Sequence, residues 1–142
     1  MNTNCYLYAV SLLKRKNYFT NEIRSKLLLK YNINDVNKTT SRLIKEGYIN
    51  DVTLCKLKIN NYINIYNKSR RYIINYLQNK NINKSLIKYI MKLYSDEQFI
   101  ENIKNIIDKY ERIGKDNKYI YQYLLRNGFE NEDIKKLIKV NL

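Results

Sequence analysis

Residues 72–88 read Tyr72-Ile73-Ile74-Asn75-Tyr76-Leu77-Gln78-Asn79-Lys80-Asn81-Ile82-Asn83-Lys84-Ser85-Leu86-Ile87-Lys88. A shift of 47 lays Tyr72, Ile73, Tyr76, Leu77, Ile87 and Lys88 on identical residues at Tyr119, Ile120, Tyr123, Leu124, Ile134 and Lys135. The matches fall at helix-face and turn positions, so the pattern repeats a folding unit and not merely a composition. The same shift pairs Ile82 with Phe129 and Asn81 with Gly128. A fainter copy lies upstream. Leu28 and Ile33 sit 49 positions before Leu77 and Ile82, and Asp51-x-x-Leu54 sits 45 before Asp96-x-x-Phe99. These offsets predict an all-α chain of three tandem three-helix repeats, spanning 1–66 (with a linking helix), 67–112 and 113–142 in one continuous array.

Working outward from that stretch, the apolar period is helical almost everywhere, and nine helices are expected. Thr20 is the expected N-cap of the second, with Glu22 in its first turn, where negative charge suits the helix dipole. The third stops at Gly47. Asp51 begins the fourth, with Leu54, Leu57 and Ile65 expected on its inner side. Ser95-Asp96-Glu97-Gln98 has the form of a capping box and opens the seventh. Three short turns, Tyr31-Asn32-Ile33, Lys80-Asn81-Ile82 and Asn127-Gly128-Phe129, are expected to close helices. In each the middle residue would take positive φ, and the apolar residue after it would pack back on the last turn.

Composition excludes most catalytic classes. Proline, tryptophan and histidine are absent, and the chain has three glycines and two cysteines. Widely separated Gly47, Gly114 and Gly128 cannot build a phosphate-cradling loop. Without histidine there is no His-based triad, and Cys5 and Cys55 lack the usual zinc spacing. Asp51 and Asp96 each stand at a helix start and are read as caps, not as an acid–base pair. No catalytic, cofactor or metal residue is expected. Cys5 and Cys55 are read as small buried apolar residues in a reducing compartment. The longest apolar run, Cys5 to Val10, is too short to span a bilayer, and positive charge follows it, the reverse of a secretory signal. A cytoplasmic protein without a membrane partner is expected.

Net charge is +14. Residues 1–95 hold 18 Lys and Arg against four acids, whereas residues 96–142 hold nine of each. A genome rich in A and T over-supplies Lys, Asn, Ile and Tyr, but uniform bias would not gather the whole surplus in two thirds of the chain. An anionic partner is the physical reading. Its densest clusters are Lys14-Arg15-Lys16, at a helix C-terminus that itself favours cations, and Lys68-Ser69-Arg70-Arg71, before a helix start that does not. Lys14, Arg15, Lys16, Lys68, Arg70 and Arg71 are therefore the candidate binding residues. The 15 tyrosines interleaved with lysine suggest base-stacking platforms, though most fall at core spacing.

Four segments resemble the RecX family of bacterial RecA regulators. Leu12 to Leu28, with Thr20, Glu22 and Ile23, is similar to the family's opening pattern. Gly47-Tyr48-Ile49-Asn50-Asp51-x-x-Leu54-Cys55 resembles its Gly-Tyr signature, Leu77-x-x-Lys80-Asn81-Ile82 its central motif, and Leu124-Leu125-Arg126-Asn127-Gly128-Phe129 with Ile134 its terminal one. Asn32 and Asn81 stand where the family usually has glycine, and Cys55 where it has alanine. The resemblance implies an elongated, curved, monomeric stack of helices with no enzymatic role. It implies binding to the RecA–DNA filament and restraint of ATP hydrolysis, strand exchange and coprotease activity. The competing reading is a helical nucleic-acid-binding module that contacts single- or double-stranded DNA directly.

Overall fold

The computed structural model describes residues 3–139 and is all-helical, with nine α-helices and no strand among them. They are α1 (Thr3–Arg15), α2 (Thr20–Leu28), α3 (Ile33–Lys45), α4 (Asp51–Asn64), α5 (Arg70–Asn79), α6 (Lys84–Met91), α7 (Asp96–Arg112), α8 (Asn117–Arg126) and α9 (Asn131–Lys135). The chain divides into two compact units, one ending at Lys56 and the other beginning at Leu57.

In the first unit, α1, α2 and α3 pack on one another. Their core joins Cys5, Ala9, Ile23, Leu27, Val36, Leu43 and Ile49. Within each helix these residues recur at four- or seven-residue steps, so each helix turns one apolar stripe inward. Thr39 and Thr40 are buried on α3, and their hydroxyls have no hydrogen-bond partner. In the second unit α5 packs on α6, α7 on α8, and α8 on α9. Ile103, Ile106, Ile107, Ile120, Leu124, Phe129, Ile134 and Ile138 form one apolar cluster there.

The 47-residue repeat is visible in the second unit. α5 and α8 begin at Arg70 and Asn117 and end at Asn79 and Arg126, and α6 and α9 begin at Lys84 and Asn131. Ser69 and Asp116 cap α5 and α8 by accepting the N–H of Tyr72 at 3.0 Å and of Tyr119 at 2.8 Å. Both helices close through a left-handed residue, Asn81 (φ 58°) and Gly128 (φ 88°). The next N–H then reaches back to the last buried leucine, Ile82 to Leu77 O and Phe129 to Leu124 O, each at 3.1 Å. This double-bonded ending satisfies carbonyls that the helix would otherwise leave open.

The first unit departs from this pattern at Asn32. Its φ is −74° and its side chain accepts the N–H of Asp35 at 2.9 Å, so it caps α3 and does not terminate α2. The reason is a missing residue. Buried Ile23 and Leu27 lie 50 before buried Ile73 and Leu77, whereas the caps Asn32 and Asn83 are 51 apart. The shorter turn has no place for a left-handed residue, and Ile33 and Leu28 are left exposed. The sequence offset of 49 is thus corrected to 50 on the helix face.

Other expectations at helix starts shift by one position. Phe19, not Thr20, occupies the N-cap of α2, and its N–H donates to Glu22 Oε1 at 3.0 Å. Asn50 caps α4 by accepting the N–H of Thr53 at 3.1 Å. Asp51 is thereby freed to accept both the N–H (2.8 Å) and the hydroxyl (3.1 Å) of Thr20. The capping box at Ser95 is present, with Gln98 Oε1 accepting the Ser95 N–H at 2.9 Å. On α4 the inward residues are Leu54, Cys55, Ile59 and Ile63, while Leu57 and Ile65 are exposed.

Candidate partner-binding surface

The second basic cluster is built around the start of α5. Ser69 is the cap, so Arg70 and Arg71 occupy the helix's first turn, where the positive end of the dipole opposes them. Each is offset by a carboxylate. Arg70 donates to Asp96 Oδ1 at 2.8 Å, and Arg71 lies 3.6 Å from Glu130. Arg70 also donates to the carbonyls of Met91 (3.2 Å) and Tyr94 (3.3 Å), and its guanidinium stacks 4.5 Å over the Phe99 ring. It therefore ties α5 to the end of α6 and the start of α7. Its side chain is 33% exposed, and the Asp96 carboxylate that it meets is open to solvent.

Lys68 is half-exposed, and Arg71 is exposed beside its Glu130 partner. The Lys68 backbone is fixed by the Asn102 amide, which donates to its carbonyl at 3.0 Å. Its ammonium stands 4.5 Å over the Tyr72 ring. That ring belongs to a three-tyrosine cluster in which Tyr62 meets Tyr72 at 5.3 Å and Tyr76 at 5.0 Å, both edge-on. Burial and the neighbouring phenols push the Tyr62 hydroxyl up to about 12. A hollow of about 400 Å³ opens beside the cluster, lined by Lys58, Asn61, Tyr62, Tyr66, Lys68 and Tyr72.

The cluster recurs in the next repeat. Tyr110 meets Tyr119 at 5.6 Å and Tyr123 at 4.7 Å, and Lys115 stands 4.7 Å over Tyr119. Lys58, Tyr62 and Tyr66 were not among the residues singled out from sequence. Their signal was the repeated Lys-x-x-x-Tyr spacing at Lys68–Tyr72 and Lys115–Tyr119, which composition had obscured. The arrangement can offer ammonium groups, ring faces and amides to an anionic chain.

Lys14, Arg15 and Lys16 belong to the first unit, where all three are exposed at the end of α1. Lys16 covers the Tyr18 ring at 4.7 Å. The same unit holds a polar cluster in which Glu46 accepts from the Tyr6 hydroxyl and from Arg42, each at 2.5 Å. Those two hydrogen bonds hold the Glu46 carboxyl below its ordinary range. Among the described residues no group of His, Cys, Asp and Glu is placed to hold a metal ion, and no helix is long and apolar enough to cross a membrane.

No protein-family model matches the chain. Two curated relatives do. The regulatory protein RecX of Caldanaerobacter subterraneus subsp. tengcongensis is 27% identical over 136 residues, covering 94% of this chain and 68% of the relative. The regulatory protein RecX of Clostridioides difficile is 28% identical over 137 residues, covering 92% and 64%. The matches run along almost the whole chain, through all four motif segments. The chain is similar to RecX regulatory proteins along nearly its whole length. Its fold agrees. A crystal structure of RecX from Lactobacillus salivarius superposes with a TM-score of 0.79 at 21% identity, covering 94% of this chain and 92% of that one. A second crystal structure of a regulatory protein RecX gives a TM-score of 0.80 at 19% identity, covering 96% and 70%. The chain spans about two thirds of the length of its curated RecX relatives.

Proposed function

We propose that this chain is a non-enzymatic regulator that binds the RecA–DNA filament in the cytoplasm. It would act as a monomer and mainly inhibit the filament's recombinase, ATPase and coprotease activities. The observation that carries this reading is the match to two proteins named regulatory protein RecX along nearly all of this chain. The basic surplus in residues 1–95 supports it, since a filament of protein on nucleic acid displays phosphate and acidic side chains. In this proposal Lys14, Arg15, Lys16, Lys68 and Arg71 touch the filament, and Arg70 orients the start of α5 behind them. In this proposal the array consists of three repeats that divide at 66/67 and 112/113.

A second reading, direct binding to single- or double-stranded DNA, draws its support from the hollow of lysines and tyrosines beside Tyr72. One experiment separates the two. ATP hydrolysis by RecA on single-stranded DNA is followed while this protein is added well below the RecA concentration. A filament regulator slows hydrolysis at substoichiometric amounts. Slowing only when enough protein is present to coat the strand would support the DNA-binding module and overturn the filament reading.

A further inference from the structure

The second unit carries a groove that the proposed filament contacts do not use. It lies along α5 and α6, encloses about 610 Å³ and is lined by Arg70, Ile74 and Gln78 of α5, Ile87 and Met91 of α6, and Tyr94 beyond them. That volume is within the about 300–1,000 Å³ typical of ligand-sized clefts. Lys84, Lys88 and Lys92 stand along its rim at successive four-residue steps. On a helix such steps rise about 6 Å each and keep one face. All three are exposed, and none forms an ion pair among the described residues. The one carboxylate on the lining, Asp96, is already held by Arg70.

We propose that this groove docks an acidic amphipathic helix of a partner protein, independently of the filament reading. The floor is aliphatic, so its occupant must bring apolar side chains to gain from displacing water. The rim is a straight cationic row, so the occupant's flanks must be acidic, with Asp or Glu at four-residue spacing to face the lysines. A helix laid along α6 meets both demands, seating anchors at i and i+4 in the groove. A phosphodiester chain meets only the second. The floor offers it Ile74, Ile87 and Met91, with a single aromatic ring at Tyr94, which is half-buried.

The chain has two methionines, Met1 and Met91, so carbon-13 methyl labelling of methionine places a reporter on the groove floor. The probe is a fluorescein-labelled 18-residue helical peptide with leucines at i, i+4 and i+7 flanked by glutamates. It should move the Met91 methyl signal saturably. Replacing Lys84, Lys88 and Lys92 with glutamate should weaken binding at least about tenfold, as should serine for leucine in the peptide. Should the triple variant lose helicity, Gln78→Glu, a single exposed change on the lining, should also weaken the peptide. The proposal is overturned if the Met91 signal stays put, or if the serine peptide binds as well as the leucine peptide. It is equally overturned if an 18-nucleotide oligothymidylate shifts Met91 and displaces the peptide, which would assign the groove to nucleic acid.

Discussion

The hydroxyl of Ser69 donates to the carbonyl oxygen of Asn127 at 2.7 Å while accepting the N–H of Tyr72 at 3.0 Å. One buried side chain thus caps the start of α5 and also satisfies the end of α8. The fit leaves no room at Gly128. A Cβ there would stand 2.8 Å from Ser69 Oγ and 3.2 Å from Arg71 Cβ, on a residue with φ 88°. Gly128→Ala should therefore cost about 2 kcal/mol or more, from backbone strain plus the displaced Ser69. Asn81→Gly, at the matching turn, should change stability by less than about 1 kcal/mol, because glycine takes positive φ freely. Urea unfolding of both variants checks the pair. A Gly128→Ala cost no larger than that of Gly114→Ala, where an added Cβ has φ 85° and meets nothing within 4 Å, would mean that the Ser69 contact adds nothing.

Arg70 and its neighbours should separate in their effects. Arg70→Met removes hydrogen bonds to two carbonyls and a carboxylate and should cost about 1–3 kcal/mol. Lys68→Glu with Arg71→Glu lowers the net charge from +14 to +10 and should leave helicity near native. It should weaken RecA inhibition strongly and flatten its dependence on salt. The same reversal at Lys135, Lys136 and Lys139 should be better tolerated. Equal loss from both sets would show that net charge alone matters.

Thr39 is fully buried with an unpartnered hydroxyl. By the 51-residue offset between caps it stands where α6 has buried Ile90. Thr39→Val keeps the shape and removes the desolvated polar group, so it should raise stability by about 1 kcal/mol. A thermal melt showing destabilisation would mean that the hydroxyl has a partner in solution, such as a bound water.

Glu46 gives an acid-side signature. Its carboxyl is held down by the hydrogen bonds from Tyr6 and Arg42. A folded value below the unfolded one means that ionised Glu46 stabilises the fold above the unfolded value, and that this contribution fades as pH falls through the folded value. The stability gap between the native chain and Glu46→Gln should shrink on acidification. Carboxyl carbon NMR should place the Glu46 midpoint below ordinary glutamate. A gap that widens toward low pH would reverse the assignment.

Cys55 is fully buried, and burial pushes its thiol up to about 11. At pH 8 it should ignore an aromatic disulfide reagent, which a thiolate attacks to form a mixed disulfide with release of the aryl thiolate, until the chain unfolds. Rapid labelling of the native protein would contradict this burial.

What could be read in advance depended on how local the physics was. The left-handed endings at Asn81 and Gly128 were legible because few residue types tolerate that conformation, and the apolar residue after each marks the return onto the helix. Asn32 looked the same by residue type. Only the length of its turn, five residues from Leu27 against six from Leu77 to Asn83, made it a cap, and that length shows only once the buried face is known. Arg70 also makes bonds that the sequence does not announce. Its main acceptors are the carbonyls of Met91 and Tyr94, which any sequence would supply and none advertises. Asp51 and Asp96 stand at helix starts, as expected, but neither is the cap that its position suggests. Their carboxylates face another helix because Asn50 and Ser95 already do the capping.

The two tyrosine triads also give the molecule an optical character. With no tryptophan in the chain, its near-ultraviolet absorption and its fluorescence arise mainly from phenols. Rings held edge-to-face or tilted at 4.7–5.6 Å exchange excitation and couple their transition dipoles. The near-ultraviolet circular dichroism of this protein is therefore weighted toward the second unit, where both triads reside. Lys68 and Lys115 lie over the outer ring of each triad, so an anion that draws either ammonium away would change that band without any label.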